Sequence, residues 1–146
     1  MKAVLFVCTG NTCRSPMAAA IANKLFGERG IKAAADSCGV FAADGANASM
    51  NSIETMKDGW DIDISGHKAK ITNEILLDNA DIVVTMTMGH KSHIISLYPN
   101  FADKVYAIEE LDGEGRDIDD PFGASLDIYM QCARQIGQFI ESFEWE

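Results

Sequence analysis

Several things are scarce in this 146-residue sequence, and each scarcity excludes something. No apolar run approaches the ~18 residues a membrane-spanning helix needs, so no span is expected. The opening stretch Met1–Cys8 has too short an apolar segment, and no small-residue cleavage site, for a secretory signal. A soluble, cytoplasmic chain is therefore expected. With only 3 prolines and no Pro/Gly/Ser-rich stretch, there is no interdomain linker. Repeats and low-complexity tracts are also missing, so residues 1–146 read as one domain, the usual size being roughly 100–200 residues. Basic residues are outnumbered 12 to 22, giving a net charge of −10, which argues against nucleic acid as a partner. The 4 cysteines sit in a long chain with no secretory signal expected, so no disulfide framework is expected, and with no C-x2-C pair among them neither is a structural zinc site.

What is present is globular: 47% hydrophobic and 23% charged residues, enough for an ordinary core. The charge is uneven. Residues 1–35 carry five basic side chains and one acidic, whereas residues 101–146 carry three basic and twelve acidic. The amino-terminal part suits an anion and the carboxy-terminal part something cationic. Apolar runs alternate with amphipathic stretches. Strands are expected at Lys2–Val7, Ile31–Ser37, Ile82–Met86 and Lys104–Ile108. Helices are expected from an N-cap at Ser15 to Glu28, over Ala46–Gly59, near Thr72–Asp78, over His90–Leu97 and over Ala124–Phe143. An acidic loop, Glu109–Pro121, precedes the last helix. Strands separated by helices imply a four-stranded, doubly wound α/β sandwich with helices on both faces of a parallel sheet. Ligands in such sheets sit beyond the carboxyl ends of the strands, which points to the loop after the first strand.

That loop reads Cys8-Thr9-Gly10-Asn11-Thr12-Cys13-Arg14-Ser15, followed by Pro16 and a helix. Gly10 and Asn11 tolerate left-handed backbone, so successive N–H groups can turn inward as an anion nest. The helix start adds free N–H groups and the positive end of its dipole. Arg14 adds a planar fork for two phosphate oxygens. Cys8 lies at the mouth of this cradle, where such neighbours, with a hydroxyl donor such as Ser15, favour thiolate over thiol. A thiolate facing a bound phosphoryl group is an in-line nucleophile. The pattern is neither G-x4-G-K-[ST] nor G-x-G-x-x-G. Phosphoryl transfer through cysteine also needs a general acid for the leaving group. Asp120 is the candidate, because Pro121 restrains it to extended angles and so fixes its direction; Asp119 is a neighbour without an assigned role.

Cys8–Ser15 together with Asp120-Pro121 resembles the low-molecular-weight protein tyrosine phosphatase family, and length and motif order extend the resemblance over the whole chain. It implies a flavodoxin-like fold and a metal-free, cofactor-free, two-step hydrolysis of phosphorylated proteins. Cys8 would form a cysteinyl-phosphate, Arg14 and the loop amides of Thr9, Gly10, Thr12 and Cys13 would bind the phosphoryl oxygens, and Ser15 would stabilise the thiolate. Asn11 would brace the loop, and Asp120 would protonate the leaving group and later activate water. A reversible disulfide between Cys8 and Cys13 is also implied; packing beneath the nest explains Cys13 equally well. Within the family, Thr12 and the run Asp120-Pro121-Phe122-Gly123 are similar to bacterial protein-arginine phosphatases, where tyrosine-specific members carry an apolar residue and Asp-Pro-Tyr. A hydroxyl can bond a polar guanidinium where isoleucine could only pack against a ring. Phosphoarginine is thus the expected substrate, phosphotyrosine the alternative, and the enzyme is expected to be a monomer. A related thiol-dependent arsenate reductase would need two further cysteines in mid-chain, and residues 39–131 have none. His90 and His93 have helical ligand spacing, but a surface or structural role is expected of them. Cys38 and Cys132 are read as core thiols. Phe122, Trp60 and Tyr98 are candidate substrate-facing aromatics, and Trp60 reads equally as a core anchor.

Overall fold

A computed structural model describes residues 1–111 and 117–145. The centre of the expected acidic loop, residues 112–116, lies outside the described residues. Four strands, β1 (Lys2–Cys8), β2 (Ala33–Gly39), β3 (Ile82–Thr85) and β4 (Val105–Ala107), form one parallel sheet in the order β2-β1-β3-β4. The sheet is the flavodoxin-like, doubly wound arrangement. β1 is central and covered on both faces, which is why its sequence is a continuous apolar run. Successive side chains alternate: Val4, Phe6 and Cys8 belong to the core on one face, Leu5 and Val7 to the core on the other.

The first core lies under α1 (Arg14–Arg29), α2 (Met50–Trp60) and α6 (Leu126–Ser142). The second lies under α3 (Glu74–Asn79), α4 (Met88–Leu97) and a 3-10 turn at Pro99–Lys104. A short helical turn, α5 (Ile108–Leu111), follows β4 directly. The chain leaves β1 towards β2, then returns past β1 to β3. The direction of winding therefore reverses at the carboxyl ends of β1 and β3, where α/β sheets open a binding crevice.

The other strands and helices lie within about two residues of expectation, β2 for example at Ala33–Gly39 rather than Ile31–Ser37, and three differences have a visible cause. Helix α1 starts at Arg14 behind Cys13, which makes no side-chain cap, because the Ser15 hydroxyl that would have capped it is used inside the loop. Pro16 still falls in the first turn, where its missing N–H is harmless. Helix α2 begins at Met50 behind the Ser49 cap, four residues later than expected, because residues 45–47 pair with residues 68–69 instead. Strand β4 keeps only three residues, since Ile108 opens α5, whose Glu110 carboxylate accepts the Ala107 N–H at 2.9 Å. After α6 the chain adds an anchor not foreseen. Trp145 is buried against Phe6, Phe26, Phe139 and Phe143 and donates its indole N–H to the Ile140 carbonyl at 2.8 Å.

Candidate active site

The loop from Cys8 to Arg14 leaves the end of β1 at the winding reversal. Only one of its two permissive residues is used as expected: Asn11 is left-handed at φ 57°, whereas Gly10 has no positive φ. Asn11 is fully buried and works as a brace. Its amide donates to Ser15 Oγ (2.8 Å) and Ser37 Oγ (2.9 Å), and its Oδ1 accepts the Lys70 N–H (3.0 Å). The Asn11 carbonyl lies 2.7 Å from His67 Nε2; a carbonyl only accepts, so that nitrogen carries a hydrogen. Beside the loop, Gly39 leaves no room for a side chain. A Cβ there would lie 2.4 Å from the Thr9 carbonyl oxygen and 2.8 Å from the Asn11 nitrogen. On the far side, the Thr12 carbonyl accepts the Ser49 N–H (2.9 Å) and the Ser52 hydroxyl (3.1 Å).

A cavity of about 250 Å³ opens over this loop and is lined by Cys8, Thr9, Gly10, Thr12, Cys13, Arg14, Asp120 and Phe122. It brings together every expected site residue except Asn11 and Ser15, which lie fully buried beneath it. Cys8 Sγ is 2.8 Å from Ser15 Oγ. Arg14, only 4% exposed, donates through Nη1 to the Ile118 carbonyl (2.8 Å) and through Nη2 to Thr9 Oγ1 (3.3 Å). Its Nη2 lies 3.7 Å from Asp120 Oδ2, and its buried Nε has no partner among the described residues. One flank of the guanidinium is thus fixed, while the Nε–Nη2 edge keeps donor capacity for an anion, a buried N–H being costly to leave unmatched.

Asp120 is half exposed, and its Oδ1 accepts the Phe122 N–H at 3.1 Å, a tight local turn across Pro121. Phe122 stands 75% exposed at the rim. The segment before them is tied to the sheet: Ile118 N–H donates to the Met86 carbonyl (2.9 Å), and Asp117 Oδ1 accepts the Met88 N–H at the start of α4 (3.0 Å). Cys13 is buried, with Tyr129 Oη at 3.4 Å and Ser49 Oγ at 3.5 Å from its sulfur. Burial pushes the thiols of Cys38 and Cys132 up to about 12, which leaves both unreactive.

The two other candidate aromatics are elsewhere. Trp60 lines a separate groove with Ile21, Lys24 and Glu141, and Tyr98 packs on the opposite core. His93 packs at a tilt against Phe41 with ring centres 4.9 Å apart. His90 is buried, with both ring nitrogens facing threonine hydroxyls: Nε2 is 2.8 Å from Thr9 Oγ1 and Nδ1 is 3.0 Å from Thr87 Oγ1. Its pKa is pushed down to about 4 by burial and by the nearby Arg14 charge. Neither His90, His67 nor Gly39 was marked as part of this site by any local motif; each reaches the loop from a different element.

The family model for "Low molecular weight phosphotyrosine protein phosphatase" matches residues 3–144. A protein-arginine-phosphatase of Bacillus subtilis is 36% identical, covering 94% of this chain and 91% of its own. A crystal structure of a low molecular weight protein tyrosine phosphatase from T. tengcongensis superposes with a TM-score of 0.93 at 43% identity, over 97% of this chain and 96% of that one. The YwlE arginine phosphatase, solved as a mutant with a phosphorylated active-site serine, superposes with a TM-score of 0.90 at 35% identity, over 94% and 90% of the two chains.

Proposed function

Because the chain belongs to the low molecular weight phosphotyrosine protein phosphatase family, and so is a cysteine-dependent protein phosphatase, we propose that it hydrolyses phosphoarginine in proteins through Cys8, Arg14 and Asp120. Arg14 and the loop N–H groups hold the phosphoryl oxygens. Cys8 Sγ attacks phosphorus in line, the S–P bond forms and the P–N bond breaks. The leaving guanidine nitrogen takes the proton of Asp120. Water then attacks the cysteinyl-phosphate, Asp120 takes a proton from it, the S–P bond breaks, and inorganic phosphate leaves with the thiolate restored. Ser15 donates to the sulfur in its charged form, and Asn11 holds Ser15 in place.

The observation that carries the arginine reading is Thr12. It lines the cavity beside Cys8, and its hydroxyl has one hydrogen-bond partner among the described residues, the weak Cys13 sulfur at 3.7 Å. Capacity is left for a guanidinium N–H. Asp119 adds negative charge beside the site where a cationic leaving group arrives, and Phe122 offers its ring at the rim. The tyrosine reading is favoured by the T. tengcongensis relative, which is named for tyrosine. We further propose a monomer acting in the cytoplasm, with no nucleic-acid partner at a net charge of −10.

The test is kcat/KM on matched phosphoarginine and phosphotyrosine peptides, with Cys8→Ser as blank. A preference for phosphoarginine of about tenfold or more, ~1.4 kcal/mol in the transition state, is expected, and Thr12→Ile should erase it. A phosphotyrosine preference in the unaltered enzyme would overturn the specificity, and turnover surviving in Cys8→Ser would overturn the mechanism.

A further inference from the structure

We infer that His90 is a positioning residue for the phosphoryl-binding arginine: through Thr9 it fixes the plane of the Arg14 guanidinium. The inference rests on Arg14 as the group that grips the phosphoryl oxygens. Thr9 Oγ1 stands between Arg14 Nη2 at 3.3 Å and His90 Nε2 at 2.8 Å. A guanidinium only donates, so the Thr9 oxygen takes a hydrogen from Arg14. The hydroxyl would otherwise be free to turn about χ1, because a threonine has more than one staggered position open to it. The imidazole removes that freedom.

His90 is itself held from behind. Thr87 Oγ1 meets its Nδ1 at 3.0 Å and accepts its backbone N–H at 3.2 Å, and the Thr87 carbonyl accepts the Thr85 hydroxyl at 2.8 Å. The chain of contacts therefore runs from the end of β3, through the first turn of α4, to the guanidinium. A neutral imidazole offers one donor and one acceptor, and a hydroxyl on each side accommodates either tautomer. The guanidinium has a second anchor, the Ile118 carbonyl, which accepts from Nη1 at 2.8 Å. With both anchors made, Nε, which has no partner among the described residues, presents a fixed donor to the anion.

Hydrolysis of a simple aryl phosphate and inhibition by orthovanadate test this without reference to arginine or tyrosine. His90→Phe should raise the vanadate inhibition constant and lower kcat/KM by about 3- to 10-fold each, the usual weight of a hydrogen bond between neutral groups. Thr9→Val, which removes the bond to the guanidinium itself, should do at least as much. The double variant should be no worse than Thr9→Val alone, since both break the same chain. His90→Gln, which again offers an amide donor and acceptor, should recover most of the loss. Should His90→Phe fail to fold, His90→Ala with Thr9→Val and their double variant carries the same comparison. Losses that multiply in the double variant, or a His90→Phe enzyme with unchanged vanadate affinity, would overturn the inference. An unaltered enzyme that shows no Cys8-dependent turnover would instead sink the phosphatase mechanism on which it stands.

Discussion

Ser15 has one hydroxyl hydrogen and two acceptors within reach, Cys8 Sγ at 2.8 Å and the Cys38 carbonyl at 3.2 Å. When Cys8 is a thiol, its S–H points at Ser15 and the serine serves Cys38. When Cys8 carries charge, the serine turns to the sulfur, and Asn11 keeps its oxygen in place in both cases. The protonation state of His90 is set by its surroundings. It faces Arg14 and His93, which oppose its charge, and Asp117 and Asp120, which favour it; burial outweighs them and leaves its pKa at about 4 against 6.5 unperturbed. On acidification the unfolded chain thus takes up this proton before the folded one. The stability tied to neutral His90 is present in full above pH 6.5 and is lost as the pH falls towards about 4, by at most ~3 kcal/mol. Urea unfolding at a series of pH values should show this slope in the unaltered protein and its disappearance from that window in His90→Gln.

At the level of elements, Gly39 ends β2 and forms the wall of the phosphate-holding loop. Gly39→Ala would drive a methyl group into the Thr9 carbonyl, 2.4 Å from the new carbon, and move the loop with it. We expect a loss of about 1–3 kcal/mol in urea unfolding, as for other overpacked sites, together with at least a tenfold fall in kcat/KM for an aryl phosphate. This residue also marks the limit of what the sequence displays. β1, β3, α6 and the order of elements follow from runs and periodicities that are local. Cys8, Arg14 and Asp120 stand out because strand, bend and Ser-Pro lie within one short stretch. Gly39, His67 and His90 reach the loop from 30, 56 and 81 residues away along the chain. No local pattern announces a glycine required by the backbone of a loop that follows another strand. Ser15 misleads for the same reason: Ser-Pro reads as a helix cap, yet the tertiary bonds to Cys8 and Asn11 claim its side chain first.

For the whole molecule, the aromatic anchor at Trp145 fastens the carboxy-terminal segment across β1, α1 and α6. It is 3% exposed and touches four phenylalanines. Trp145→Ala should cost about 3–5 kcal/mol, measurable by thermal or urea unfolding, as expected for an aromatic removed from a packed core. The peptide at Ile118 has a comparable reach within the site. Its N–H is held by the Met86 carbonyl just past β3 and its own carbonyl by Arg14, two residues before the proton donor Asp120. The group that grips the anion and the segment that delivers the proton are therefore joined in one thermodynamic cycle, in which each must favour the other's ordered state by the same factor. Loading the cavity with inorganic phosphate should slow hydrogen exchange at the Ile118 amide, and weakening that amide's hold should in turn loosen phosphate. Occupancy of the site would thus be legible, from a distance, in the exchange rate of a single backbone hydrogen that never touches the ligand.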